Sequence, residues 1–188
     1  VIDTIFSSVR VDSPYLLKPF FEIDSSEQST MLIEKEDAIQ SAIRVGNVSI
    51  GRQHKDFPKL YLANTLLGGY FGSRLMNNIR EDKGYTYGIG SGLISMKHLA
   101  YFVISTEVGS EVTNNTLYEI ELEMNKMCDE LVNEKELELV KNYVLGNIMR
   151  GFDGAFAAMD RFCMLNNAGL GYDYYLNLIN TINKISAI

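Results

Sequence analysis

The chain has 188 residues, 46% of them hydrophobic and 22% charged, with a formal net charge of -7. This length and balance describe a soluble globular protein of one domain, or two very small ones, able to build a core without a disulfide or metal staple. The acidic excess excludes the basic footprint that nucleic acid or anionic lipid would need, and no apolar run reaches the ~20 residues of a membrane span.

In chain order, Val1-Ile2-Asp3-Thr4 offers neither an initiator Met nor a basic leader, and Ile188 directly follows a helical pattern. Both ends read as cuts in a longer chain, with the domain incomplete at its C-terminus. Residues 1–30, broken by Pro14, Pro19 and the polar run to Thr30, read as a lead-in segment or linker, and 31–188 as a single domain. Gln40 to Ile50 alternates apolar and polar residues, as a strand does. Asp56 then stands at an N-cap position with Pro58 in the first turn. Leu60, Ala63 and Leu67 recur at helical spacing until Gly68-Gly69 ends the helix. A shorter helix follows over about 73–82, with Leu75, Met76 and Ile79 inward and Gly84 as its stop.

Tyr85 to Ile94 alternates again, with Tyr85, Tyr87, Ile89 and Leu93 on one side and Thr86, Gly88, Gly90, Gly92 and Ile94 on the other. Tyr101 to Val108 is a second strand, so 85–108 reads as a hairpin turning around Met96 to Leu99. The remainder is helical. Leu117, Ile120, Met124, Met127, Cys128 and Leu131 form one amphipathic face, and Leu137, Val140, Val144 and Ile148 another. The second of these helices opens on Glu134, Glu136 and Glu138 and closes on Arg150 before Gly151, as its macrodipole favours. Further helices fit 155–168 and 173–184. Strands are grouped rather than alternating with helices, which predicts an α+β fold: a mainly antiparallel sheet with helices packed on one face.

Candidate chemistry is sparse. His54, on a polar loop, and His98, in the hairpin turn, are the only histidines, and neither has ligand partners at useful spacing, so no metal site is expected from this chain. Cys128 and Cys163 read as small buried hydrophobes within helices. Gly68-Gly69-Tyr70-Phe71-Gly72 precedes a helix, but no Lys-Ser/Thr follows, so it is not a phosphate cradle. Arg80 borders the apolar stripe of its helix, as a solvated arginine also would. Glycines at 88, 90 and 92 strip one strand face of side chains. Either a helix packs closely against that face or an extended peptide lies across it, and the pattern alone fits both.

The run "GGYFGSRLMNNIREDKGYTYGIGSG" resembles the signature "GG-x-x-SSRL…lReK-x-Gl-x-Ys" of the pitrilysin-like (insulinase-like) zinc metallopeptidases, which include mitochondrial processing peptidase and insulin-degrading enzyme. "QSAIRVG" is similar to that family's first domain strand, and "ELELVKNYVLGNIMRGFDGAFAAMDRF" to the helix pair after its hairpin. Together they span about residues 36–188. The resemblance implies one half of a clamshell. The active half of such enzymes carries His-x-x-Glu-His with a distal Glu. This chain lacks that motif, so it resembles the other half. That half supplies an Arg and a Tyr that reach across to substrate, and Arg80 and Tyr87 hold the matching positions, with Gly84 as the turn between them. Gly72 stands where Ser is usual and Tyr85 where a smaller apolar residue is usual; both departures leave the pair intact.

The resemblance implies that Arg80 donates charge-assisted hydrogen bonds to a substrate carbonyl or developing oxyanion, and that Tyr87 donates its phenol proton to the same region. Gly68, Gly69 and Gly72 form the glycine-rich loop, with Gly68 and Gly69 letting the helix pair turn sharply, and Gly84 is expected to bring Arg80 and Tyr87 close together. The chain itself is expected to hold no cofactor, with zinc in a homologous half in the same longer chain or in a separate subunit. Its substrate would be a peptide. The alternative is a scaffold or assembly subunit of the same fold without proteolysis, as in the core subunits of a respiratory complex.

Overall fold

The computed structural model describes residues 30–96 and 99–186, with Met31–Ile188 forming one compact unit. All of the N-terminal lead-in except Thr30, and the hairpin position of His98, lie outside the described residues. Three strands, β1 (Gln40–Val48), β2 (Ile89–Ser95) and β3 (Ala100–Gly109), form one antiparallel sheet in the order β1-β3-β2. Ile43 of β1 and Ile89 of β2 both lie opposite Thr106 of β3, which aligns their side chains on one face. That face, carrying Ile43, Ile89, Ile104 and Val108, is buried, whereas Arg44, Gly46, Val48 and Glu107 on the other are exposed.

Helix α1 (Phe57–Asn64) runs on as a π-helical turn over Thr65–Gly69, and a second π-helical segment covers Met76–Asp82. Helices α2 (Thr113–Asp129), α3 (Glu134–Arg150), α4 (Ala155–Asn167) and α5 (Asp173–Lys184) follow the hairpin. The wider π turn sends adjacent residues into different cores. Leu66 joins a helical core with Leu62, Leu137, Val140, Val144, Ile148 and Ile182, while Leu67 joins a sheet core with Ile43, Leu75, Ile79, Ile104 and Ile120. Met127 packs against both. The heptad-like face expected of α3 is buried as its spacing required, and an α+β fold with an antiparallel sheet is what the chain adopts.

Six local expectations differ from the structure. Strand β1 stops at Val48, short of Ile50, and β2 starts at Ile89 instead of Tyr85, because Thr86 diverts the chain into side-chain hydrogen bonds described below. Asp56 precedes α1 without capping it; its carboxylate instead accepts from Lys59 at 3.3 Å. The helix expected over about 73–82 is π-helical from Met76. On α2, Leu117 faces solvent while Thr116, Glu119, Ile120 and Glu123 are buried, and Leu131, expected on the same face, is exposed beyond the helix end. The helix is rotated so that two carboxylates, not leucines, meet the π segment. Finally, Cys128 and Cys163 are exposed free thiols, on the outer faces of α2 and α4.

The buried carboxylates are matched by donors. The Asn78 side-chain amide donates to Glu119 at 3.0 Å and to Glu123 at 2.8 Å, using both of its protons. Lys83 pairs with Glu119 at 3.2 Å and Lys126 with Glu123 at 2.8 Å. Arg74 forks onto Glu136 of α3 with bonds of 3.0 and 2.9 Å. The segment carrying Arg80 is thereby tied to two helices.

Two predictions follow from this packing. A Cβ at Gly68 would lie 2.6 Å from Ser91 N, whereas one at Gly92 would meet only the Ile94 methyl at 3.9 Å. Gly68→Ala is therefore expected to lose about 1–3 kcal/mol in urea denaturation, with Gly92→Ala close to wild type; equal losses would remove the close-approach argument. The Asn78 amide, and then Lys83, hold the Glu119 carboxyl below the usual carboxylate range. A carboxyl lowered on folding stabilises above its unfolded value, about 4.3, and that contribution disappears as pH falls through the folded value. Glu119→Gln is expected to be less stable than wild type at neutral pH, with the gap closing below about pH 4; a gap that stays constant with pH would contradict the assignment.

Candidate functional site

Arg80 lies near the end of the second π segment, one residue after fully buried Ile79. The segment closes at Gly84, whose φ of +66° falls in the left-handed region that a glycine enters without a Cβ penalty. The Gly84 N–H donates to Arg80 O at 3.2 Å and the Tyr85 N–H to Ile79 O at 3.0 Å, so the chain turns back on the helix before running toward β2. Tyr85 is half-buried against the sheet core.

Thr86 fixes what comes next. Its hydroxyl donates to Glu107 O of β3 at 2.7 Å and accepts the Gly88 N–H at 3.1 Å. The buried Thr106 hydroxyl lies 3.0 Å from both Thr86 Oγ1 and Gly88 O. Tyr87 is thus held by its backbone on both sides while its side chain is 95% exposed. The main chain at Tyr87 is pinned while its phenol is exposed. Thr86 and Thr106 escaped the sequence reading because a threonine in a strand-like run reads as β propensity, and nothing in the pattern marks its hydroxyl as a tether.

Arg80 has two neighbours. Its Nη1 donates to Glu81 Oε1 at 2.9 Å, and its guanidinium carbon lies over the Phe71 ring, 4.6 Å from the centroid. Among the described residues, no partner engages its Nε or Nη2. No hydrogen bond and no cation–ring contact joins Arg80 to Tyr87; both flank the Gly84 turn, Tyr87 almost fully exposed and the Arg80 side chain half-buried. Of the loop glycines, Gly68 is pressed against Ser91 of β2, Gly69 closes the first π turn, and a Cβ at Gly72 would meet only the Tyr70 ring. Of Gly88, Gly90 and Gly92, Gly90 meets the closest neighbour, Gly68 O at 3.3 Å from its built Cβ; Gly92 would reach only the Ile94 methyl and Gly88 borders open space.

An apolar recess of about 620 Å³ lies between α1, α3 and α5, lined by Leu62, Leu66, Met127 and Leu137, and a polar one of about 500 Å³ is lined by Arg74, Asn78, Glu119 and Glu123. Neither contains Arg80 or Tyr87. The residues present do not fit a zinc site: among the described residues no three His, Cys, Asp or Glu side chains converge, and His54 Nδ1 accepts the Asp56 N–H at 3.2 Å. Nor, among the described residues, is any helix long and apolar enough to cross a membrane.

Thr86→Val preserves shape and removes the tether. It is expected to destabilise by about 1–3 kcal/mol and to speed hydrogen exchange at the Gly88 amide, because a donor and an acceptor lose their partner. An unchanged Gly88 exchange rate would mean that Thr86 does not hold this loop.

The profile of the family described as peptidase M16 inactive domain matches residues 1–144, from the start of the chain into α3. An uncharacterized zinc protease of Bacillus subtilis, YmxG, is 26% identical over 82% of this chain and 38% of its own length. A probable inactive metalloprotease of the same organism, YmfF, is 25% identical over 71% of this chain and 31% of its own. The chain thus spans about a third of the length of these relatives. Its fold is shared with the crystal structure of a peptidase M16 inactive domain from Pseudomonas fluorescens, with a TM-score of 0.70 at 24% identity, covering 79% of this chain and 35% of that one. With most of its length matched by the family profile, the chain belongs to the peptidase M16 inactive-domain family, the non-catalytic part of a zinc protease family.

Proposed function

We propose that this chain is the substrate-binding half of a zinc metalloendopeptidase acting on peptides, inactive until joined by a homologous zinc-bearing half. The observation that carries this reading is the display of Arg80 and Tyr87 on either side of the Gly84 turn. Their backbones are fixed by hydrogen bonds, the Tyr87 side chain is exposed, and Arg80 Nε and Nη2 have no partner among the described residues. An arginine with free N–H groups and a phenol suit a peptide carbonyl that gains negative charge during attack. The open character of the site supports a two-sided chamber, in which this surface forms one wall. Zinc would reside in the other half, on the same longer chain or on a separate subunit. Residues 31–188 would act as a single domain, with 1–30 leading into it.

A second reading is a proteolytically inactive scaffold or assembly subunit. It is favoured by the relative named as a probable inactive metalloprotease. The two readings separate on catalysis, since a scaffold would bind its partner without needing Arg80.

The test is hydrolysis of a quenched fluorogenic peptide mixture by this chain alone and after mixing with the zinc-bearing half, with zinc measured on each. No activity alone and activity after mixing supports the protease reading; a stable complex that stays inactive supports the scaffold. In the active complex, Arg80→Ala and Tyr87→Phe are each expected to lower turnover by roughly 10²–10³. Full turnover in both variants would eliminate the assigned roles.

A further inference from the structure

The ring under Arg80 belongs to the glycine-rich loop, and that loop is not loose. Gly68 is pressed against Ser91 of β2, Tyr70 packs on Tyr143 of α3 with ring centroids 4.9 Å apart, the Ser73 N–H donates to Tyr70 O at 3.1 Å, and the Asn77 amide donates to Gly72 O at 3.1 Å. Within this tied loop Phe71 is 66% exposed and belongs to neither core. A phenylalanine left in water on a fixed loop does little for folding, and its recorded contact is the Arg80 guanidinium.

A ring and a carboxylate hold an arginine differently. A carboxylate consumes N–H groups, as Glu81 does with Nη1. A ring under the guanidinium attracts its charge through the quadrupole and leaves the N–H edges free for in-plane bonds. Arginine otherwise has considerable rotamer entropy to lose when it meets a ligand. A platform that restricts it beforehand reduces that loss.

We propose that Phe71 is a positioning residue for Arg80: its ring fixes the guanidinium while leaving Nε and Nη2 without protein partners, and so couples the glycine-rich loop to the arginine assigned to substrate. The consequence for turnover rests on the function proposed above; the restraint on Arg80 does not.

The experiment keeps the two apart. In this chain labelled with ¹⁵N, the Arg80 Nε–H resonance is recorded for wild type, Phe71→Leu and Phe71→Tyr. In the complex with the zinc-bearing half, kcat and KM are measured for the same variants, with and without Arg80→Ala. The expected result is a ring-current shift at Arg80 that is lost in Phe71→Leu and kept in Phe71→Tyr. Alongside it, kcat should fall about two- to fivefold in Phe71→Leu with little change in KM, with recovery in Phe71→Tyr and no further loss on the Arg80→Ala background. An Arg80 resonance indifferent to Phe71→Leu overturns the restraint, and an equal kcat loss on the Arg80→Ala background overturns the coupling. If Arg80→Ala alone leaves turnover intact, the function proposed for Arg80 fails, and the coupling to turnover fails with it; the resonance still decides whether Phe71 holds the side chain.

Discussion

The close approach of Gly68 to strand β2 is the contact on which the rest is arranged. With 2.6 Å between a built Cβ and Ser91 N, no other residue type fits there without moving backbone. That approach seats the first π turn against the edge of the sheet, and the Ser91 hydroxyl donates to Asn64 O at 3.2 Å in the same place. With the turn seated, Leu66 and Leu67 are committed to opposite cores, and the glycine-rich loop leaves the sheet in one direction. A π turn is an uncommon local choice, stable where surrounding packing specifies it. Here two cores and a sheet edge specify it together.

The second π segment is secured by charge. Glu119 and Glu123 are buried, and buried carboxylates without partners would be strongly unfavourable. Asn78 supplies one proton to each, and Lys83 and Lys126 complete the set. Such a network stabilises only while every member is satisfied, so it specifies one rotational setting of the segment on α2. Buried Ile79 and outward Arg80 then take fixed directions. On the other side of Gly84 the same task falls to hydroxyls, with Thr86 and Thr106 binding the loop to β3. Arg80 and Tyr87 are therefore positioned by different chemistry from opposite ends of one turn.

What the sequence disclosed follows from where signals are periodic. The regular spacing of Leu137, Val140, Val144 and Ile148 marked the buried face of α3, because that face meets the core, and the alternation from Gln40 marked β1 as a strand. Gly84 was legible because a stop between a helix and a strand calls for a residue tolerant of positive φ. The misses share a cause. Leu117 and Cys128 looked inward by hydrophobicity, but α2 is oriented by its paired carboxylates, and Leu131 lies past the end of that helix; periodicity of apolar residues contains no record of either. Tyr85 to Gly88 alternates as a strand does, yet the Thr86 hydroxyl competes with the sheet for Glu107 O and delays β2 to Ile89. Phe71 gave no signal, since the guanidinium over its ring belongs to Arg80, nine positions along the chain on a separate segment. Arg80 and Tyr87 stood out through the family resemblance and not through any local pattern.

The exposure of the candidate site bears on how such a half could act under the proposed function. In open solvent an arginine and a phenol are strongly hydrated, and a hydrogen bond to a peptide carbonyl there replaces a comparable one to water, leaving little net gain. The same donors acquire much larger electrostatic weight when a facing surface excludes water and lowers the local dielectric. What this chain can contribute beforehand is geometry: a turn fixed by Gly84, a loop tied by two threonines, and a ring beneath the guanidinium. Donors already aimed need no reorganisation when charge develops, which is the condition under which electrostatic stabilisation is most effective. A rigid, open wall bearing prearranged donors is in this sense a reagent awaiting its second wall, and closure by a zinc-bearing half would supply the dielectric change that this surface cannot create alone.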